Sequence, residues 1–354
     1  MEGVWDPDQV GPEWMTAVLD AGGGLGGGRV TEIEGTPIGT GQVGCNIRYR
    51  LTYDRPGGGP PSVVVKFASR SQTSRAAGVQ TLTYETEVAF YRDLATTVEV
   101  CRPRCYFADV QPGTANVVLV LEDVDAVPGD QLAGCAPDAV VPVMEQAARL
   151  HGPRWADPTL LDLPWLAARA ADPPDVGAIV ALLWPEFCQR YRAQLTEESV
   201  EVGERLARPS TWLSDDPGPL TLCHSDFRLD NLLFGDPAGS RPVIVVDWQT
   251  VRLGSGVSDV SYFLSGALNP LDRRRVEQDM VRTYHERLCA YAIGDYPLER
   301  CWQDYRRHSF SGFFMAVAAS MMVERTERGD QMFVTMANGA AAQAVDLGAT
   351  ELLR

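Results

Sequence analysis

Positive charge is scarce in this chain. Lys and Arg number 31 against 47 Asp and Glu, for a net charge of −16 and an isoelectric point of about 4.7. That balance argues against non-specific binding to nucleic acid or to an anionic membrane. Paired cysteines are also lacking. The eight cysteines are scattered, and only Cys101 and Cys105 stand close, as C-x-x-x-C with no second pair and no nearby His, which argues against zinc. The opening Met1-Glu2-Gly3-Val4-Trp5-Asp6 has neither a basic nor an apolar region, so no signal peptide is expected. The longest apolar stretch, 310–323, contains Ser and Gly and is too short to cross a bilayer. A reducing cytoplasm with free thiols is the simplest setting. No internal repeat or low-complexity tail is present.

What remains is an ordinary soluble mixture, 45% hydrophobic and 22% charged, in 354 residues. That length allows two lobes with separate cores. Residues 12–19 read as a short amphipathic helix, ended by the Gly-rich run 22–28, which reads as a flexible link. Strand-type segments follow at 29–34, 46–53 and 62–68, then a helix over 79–95, then strands at 103–108 and 116–122. From residue 138 the pattern turns helical, with candidates at 139–151, 175–207 (broken at Pro185), 273–291, 298–327 and 330–347. Short β-type runs at 220–223, 232–234 and 243–246 interrupt it. The expected class is α+β, with an antiparallel sheet plus helix before a mainly helical lobe. The expected division is 1–123 and 124–354, hinged at Glu122-Asp123-Val124.

The β-type interruptions frame His224-Ser225-Asp226-Phe227-Arg228-Leu229-Asp230-Asn231, and Asp247 ends the last of them in Val245-Val246-Asp247-Trp248. Phosphoryl transfer needs a carboxylate to orient an attacking hydroxyl and accept its proton. It also needs hard oxygen ligands for Mg²⁺. Asp226 is the candidate base, and Asn231 and Asp247 are the candidate metal ligands. The order is close to the H-R-D-x-x-x-x-N and D-F-G pair of protein kinases, with Trp248 for Phe and Gln249 for Gly. A lone D-x-x-x-x-N would read as a turn rich in Asp and Asn; the flanking runs and the second Asp favour the site. His224 reads as a support that hydrogen-bonds backbone carbonyls. Arg228 reads as a partner of a carboxylate before a phosphate contact.

Lys66 lies inside the β-branched run 62–67, where a buried ammonium must find a partner. Alone it reads as an edge-strand lysine; with the downstream motif it reads as a phosphate ligand. Glu87 on the next helix is its expected partner, with Glu85 as competitor. Gly39, Gly41 and Gly44 form a glycine-rich turn able to fold over phosphates, although no Walker A sequence is present. An ordinary hairpin turn is equally consistent with it. Glu122 and Val124, after the buried-type run 118–121, can offer backbone groups to an adenine. Asp259 reads as an acid opening a helix, and as a buttress for the loop.

These residues resemble the aminoglycoside phosphotransferase and choline kinase superfamily, the small-molecule relatives of protein kinases. Leu222-Cys223-His224-Ser225-Asp226 and Val246-Asp247-Trp248-Gln249 look most like its ecdysteroid-kinase-like branch. Residues 224–234 also look like the phosphotransferase domains associated with acyl-CoA dehydrogenases, which act on hydroxyacyl groups. The resemblance implies a bilobal protein-kinase-like fold, ATP and Mg²⁺, and transfer of the γ-phosphoryl group to a substrate hydroxyl. It implies Asp226 as base, Asn231 and Asp247 on the metal, and Lys66 with Glu87 on the phosphates. One position departs from the pattern. Ser225 stands where relatives carry Gly, and serine strains the loop if φ is positive there.

The expected acceptor is a small-molecule alcohol bound against the helical lobe. The Met- and Phe-rich C-terminal part favours an apolar one, sterol-like or hydroxyacyl, with Trp184, Tyr262, Phe313, Phe314, Met321, Met322 and Met332 as possible lining or, residue by residue, helix core. An aminoglycoside acceptor and a non-catalytic nucleotide-binding protein of the same fold are the alternatives. No nucleic-acid or membrane partner is expected, and the chain reads as a monomer or homodimer.

Overall fold

The structure is a computed structural model that describes residues 3–39, 43–171, 175–208 and 218–353. Alternation of buried residues builds its first half. Helix α1 (Pro12–Ala21) turns Met15, Val18 and Leu19 inward. It packs on an antiparallel sheet of β1 (Val30–Ile38), β2 (Gly44–Tyr53), β3 (Ser62–Ala68), β4 (Cys105–Val110) and β5 (Val117–Glu122), ordered β1-β2-β3-β5-β4. Successive side chains of a strand point to opposite faces. Val63, Val65 and Phe67 of β3, with Val118 and Val120 of β5, therefore meet α1 and Ile47, Tyr49 and Leu51 of β2. Val117, Leu119 and Leu121 face the other way, onto Val88, Phe90 and Tyr91. Lys66 is on that second face, in register with Leu119.

The helix predicted over 79–95 is four pieces. Helix α2 (Gln72–Gln80) ends at Leu82, whose backbone is left-handed at φ 57. Helix α3 (Thr83–Ala89) then runs into a π-helical turn, Phe90–Leu94, and a 3₁₀ turn, Ala95–Thr97. Glu87, Phe90 and Tyr91, at i, i+3 and i+4, share the inward face that helical spacing predicts. The predicted flexible link at 22–28 is pinned instead: the Gly26 and Gly28 amides donate to the Gly58 carbonyl at 2.8 and 3.3 Å.

The second half carries two small sheets among helices. β7 (Thr221–Cys223) pairs with β10 (Arg252–Gly254), and β6 (Val127–Pro128), β8 (Leu232–Phe234) and β9 (Val243–Val245) form the other. Around them lie α4 (Val140–His151), α5 (Pro164–Ala171), α6 (Val176–Tyr191), α7 (Glu197–Leu206), α8 (Val257–Ala267), α9 (Pro270–Cys289), α10 (Leu298–Arg307), α11 (Ser311–Met322) and α12 (Glu327–Asp346). Pro185 sits inside α6 rather than breaking it. Val180, Trp184, Phe187 and Tyr191, at helical spacing, hold that helix against a core shared with α11 and α12, and the chain turns only after Tyr191. The helix predicted over 298–327 is likewise two, parted by a 3₁₀ turn at His308–Phe310. Each half has a buried cluster of its own, and a third joins them. This third cluster runs from Leu119 and Phe90 through Val143 and Leu222 to Trp248 and Phe263, joining the sheet to the helical half. This is a bilobal α+β, protein-kinase-like architecture. Among the described residues no helix is long and apolar enough to cross a membrane.

Candidate active site

The loop 224–231 connects β7 to β8, and Asp247 lies just beyond β9. Pairing of β8 with β9 sets Leu232 opposite Val245, and one further bond, Val246 N to Asn231 O at 3.0 Å, extends the ladder. That extension brings Asn231 beside Asp247 despite their separation in sequence. Both Ser225 and Asp247 take left-handed backbone, at φ 67 and 68. Asp and Asn reach that region readily, and serine rarely does. Here the Ser225 amide donates to Asp259 Oδ1 at 2.9 Å, and its hydroxyl accepts from Arg252 Nε at 3.0 Å.

Asp259 is in the first turn of α8 and is buried. Its Oδ2 accepts from the His224 amide at 2.7 Å and lies 3.2 Å from His151 Nε2. Burial would raise this carboxyl, but His151 and the loop amides hold it below the ordinary value. His224 Nδ1 accepts from the Asp226 amide at 3.3 Å, which leaves Nε2–H to donate to the Val246 carbonyl at 3.0 Å. His224 thus ties the loop to the end of β9. Cys223 lies beside His151 and Asp259, but burial pushes its thiol well up, so it stays protonated. With Asp259 already filled by two amides and His151, this trio is an anchor for the loop.

Asp226 is buried and points at three donors. Oδ1 accepts from Arg228 Nε at 3.0 Å and from Tyr262 Oη at 2.8 Å, and Oδ2 accepts from Asn231 Nδ2 at 2.8 Å. Asn231 Nδ2 also donates to the Asp226 carbonyl at 2.8 Å, so the amide's two N–H groups are both engaged. Its Oδ1 takes no hydrogen bond from any described residue. Arg228 bridges to Asp230 at 2.6 Å, and Asp230 in turn pairs with Arg328 of α12 at 2.8 Å.

Lys66 Nζ lies 2.7 Å from Glu87 Oε2 and 2.7 Å from Asp247 Oδ1. Burial would lower the ammonium, but the two carboxylates outweigh it and hold Lys66 above its ordinary value, fully charged. Asp247 is held low by Lys66 against the push of burial, while burial dominates at Glu87 and raises it. Glu85 is elsewhere, accepting from the Gly113 amide at 2.8 Å. Lys66 is also the only lysine in the chain, a signal that singles it out beyond its strand context. Every other cationic side chain, histidine aside, is arginine, while this position has a compact ammonium on a flexible stem.

The remaining expected residues sit around this centre. Gly44 opens β2, where a Cβ would come 2.8 Å from Lys66 Cε, so only glycine lets the lysine pass. Gly39, at φ 75, ends β1, and Gly41 lies outside the described residues. The Glu122 side chain is taken by Arg241 at 2.7 Å and by the Arg104 amide at 2.9 Å, and its own amide donates to the Arg104 carbonyl at 2.8 Å; Val124 is half-buried. Trp248 is buried, stacked on Phe90 at 4.0 Å and 10°. Of the residues read as possible acceptor lining, Tyr262 and Met332 reach the loop, Met332 Sδ lying 3.2 Å from Arg228 Nη1. Trp184 and Phe313 are core, 5.7 Å apart between ring centroids, and Phe314 and Met321 pack against that core. Sequence reasoning missed His151, Arg252, Asp230 and the Tyr262 hydroxyl as parts of the site, because their partners are distant in sequence.

A divalent hard cation suits this donor set. Among the described residues, Asn231 Oδ1 has no donor and Asp247 Oδ2 meets only Gln249 Nε2, at 3.3 Å. These two oxygens are the ones that would hold Mg²⁺.

Residues 179–293, which contain both motifs, match the sequence model of the ecdysteroid kinase-like family. Among curated proteins, 81 residues are 32% identical to the probable acyl-CoA dehydrogenase IBR3 of Arabidopsis thaliana, covering 21% of this chain and 10% of that protein. A further match, 29% identical over 85 residues, is to acyl-CoA dehydrogenase family member 11 of Pongo abelii, covering 22% of this chain and 11% of that protein. The chain spans about a tenth of the length of these curated relatives. Among solved structures, choline kinase from Cryptosporidium parvum aligns over 90% of this chain and 91% of its own, at TM-score 0.53 and 11% identity. The GDP complex of aminoglycoside 2'-phosphotransferase-IIIa aligns over 88% and 93%, at TM-score 0.51 and 15% identity. Plasmodium vivax ethanolamine kinase aligns over 87% and 82%, at 0.52 and 8%. The structural likenesses show the shared fold, and the sequence match carries the resemblance to the ecdysteroid kinase-like branch of this superfamily.

Proposed function

We propose that this protein is a nucleotide-dependent small-molecule kinase, transferring the γ-phosphoryl group of ATP to a substrate hydroxyl. The observation that carries the reading is the convergence of Asp226, Asn231, Asp247 and the Lys66–Glu87 pair, from four separate elements, where the sheet meets the helical half. Lys66, held charged by its two carboxylates, supplies a fixed cation for nucleotide phosphates. Gly44 packs on the lysine stem, and in this reading Gly39 lies over the phosphates while the Glu122 carbonyl and the Val124 backbone take the base. Bound Mg²⁺ would neutralise charge on the transferring phosphate. Asp226 orients the acceptor hydroxyl and receives its proton. Arg228 and Asn231 keep the carboxylate in place, and His224 and Asp259 keep the loop in place.

The proposed acceptor is a small alcohol. The segment shared with proteins named as acyl-CoA dehydrogenases favours hydroxyacyl compounds as the first to be tried, with sterols beside them. Aminoglycosides are the second reading, supported by the aminoglycoside phosphotransferase fold. A purely binding role is disfavoured by the completeness of the charged set, which such a role does not need. We place the protein in the cytoplasm.

The test is Mg·ATP consumption across hydroxyacyl thioesters, sterols, aminoglycosides and amino alcohols, with Asp226→Asn as blank. Acceptor-dependent turnover should fall about 10²–10⁴-fold in the variant while Mg·ATP binding persists. Equal turnover in wild type and variant would remove Asp226 as base. Turnover with aminoglycosides alone would remove the apolar-alcohol reading.

A further inference from the structure

Tyr262 stands one helical turn after Asp259 on α8, so the two side chains share a face. Asp259 grips the backbone of His224 and Ser225, and Tyr262 reaches the carboxylate of the next residue. The ring is 3% exposed, yet its hydroxyl does not end in the core: it donates to Asp226 Oδ1 at 2.8 Å. Burial and the neighbouring Asp226 charge raise the phenol well above its ordinary value, so it keeps its proton and acts only as a donor toward Asp226.

The donors around Asp226 are unevenly divided. Each carboxylate oxygen offers two lone-pair directions. Oδ1 is filled by Tyr262 and Arg228, whereas Oδ2 accepts only from Asn231. Arg228 is shared with Asp230, so its hold on Asp226 is not exclusive. We propose that Tyr262 is a positioning residue that locks the rotation of the Asp226 carboxylate and presents the open lone pair of Oδ2 to the acceptor hydroxyl. This rests on the reading of Asp226 as the base. In the step, the acceptor O–H proton passes to Asp226 Oδ2 while the acceptor oxygen forms a bond to the γ-phosphorus. The bond from that phosphorus to the β,γ-bridging oxygen breaks, and the electron pair leaves with ADP. Helix α11 packs on the ring: a Cβ on Gly312 would lie 3.1 Å from Tyr262 Cδ2 and 2.8 Å from Ser265 Oγ, whose hydroxyl donates to the Tyr262 carbonyl.

The experiment uses the full chain and Mg·ATP with water as acceptor, read as released inorganic phosphate. Wild type, Tyr262→Phe, Gly312→Ala, the double variant and Asp226→Asn are compared. Tyr262→Phe keeps the ring, so the KM for Mg·ATP and the unfolding midpoint should stay at wild-type values while kcat falls about 10-fold, as loose positioning of a reacting group predicts. Gly312→Ala should lower kcat in the wild-type background and add nothing once the hydroxyl is gone. An unchanged kcat in Tyr262→Phe, a fall matched by a raised KM, or additive losses in the double variant would each overturn the proposal and leave the base assignment standing. Wild-type release no faster than that of Asp226→Asn would overturn the base assignment itself, and Tyr262 would lose the group it positions.

Discussion

At the scale of single residues, the site depends on side chains placed against their own preferences. Ser225 holds left-handed backbone, at about 1–2 kcal/mol for an ordinary L-residue. The Ser225 strain is offset by its bonds to Asp259 and Arg252. Asp230 shows how charge fastens the same loop. Burial would raise its carboxyl, but Arg328, Arg228 and the Gln131 amide bring it down to about 2. A carboxyl whose folded value lies below its ordinary one stabilises the fold above that ordinary value, and the contribution is lost as pH falls through the folded value. Asp230→Asn should therefore cost about 1–2 kcal/mol near neutral pH, after allowing for partial solvent screening. The gap to wild type should shrink to roughly half near pH 3, where the carboxyl of the unfolded chain is mostly protonated and that of the folded chain is still mostly ionised. Urea midpoints measured from neutral pH downward check this; a gap independent of pH would mean that Asp230 contributes shape and not charge. The Asp-Asn-Asp spacing was legible in the sequence because it is local. Arg252, Arg328 and Tyr262, which complete it, were not, since nothing in their own neighbourhoods marks them as partners of the loop.

At the scale of elements, the informative departures are breaks. Leu82, left-handed and 46% exposed, joins α2 to α3 with no side-chain cap on the second helix. Asn tolerates left-handed backbone and is the better residue before a helix. Leu82→Asn should raise stability by about 0.5–1 kcal/mol in denaturant titration, with the Lys66–Glu87 pair kept. A loss of stability would show that the Leu82 side chain is packed and not merely tolerated. Pro185 teaches the reverse. A local rule predicts a break there, but four buried aromatic and aliphatic side chains outweigh one missing hydrogen bond. Strand positions were easier to read, because a period of two is unambiguous over β3 and β5. The joint at 81–82 could not be read, because no residue there is a helix breaker.

At the scale of the whole molecule, the two halves share apolar contacts as well as a cleft. Val117, Leu119 and Leu121 of the sheet belong to the same buried cluster as Leu222, Phe227 and Trp248 around the loop. Arg48 with Asp123, at 2.8 Å, and Arg241 with Glu122, at 2.7 Å, brace the connecting segment from either side. Continuous burial of this kind couples the lobes. Calorimetry and tryptophan fluorescence should therefore give one coincident unfolding transition; two resolved transitions would show that the sheet half unfolds alone. By itself the sequence determined the strand-then-helix order, the loop 224–231 and its second carboxylate, and Lys66 as the charged exception in an apolar strand. Each of these follows from neighbours within a few positions, where spacing and periodicity act. Only the tertiary structure decided which glutamate meets Lys66, that Tyr262 reaches one oxygen of Asp226, and that one buried cluster spans both halves. Those are contacts between segments far apart in sequence, and packing chooses them after the local pattern has been satisfied.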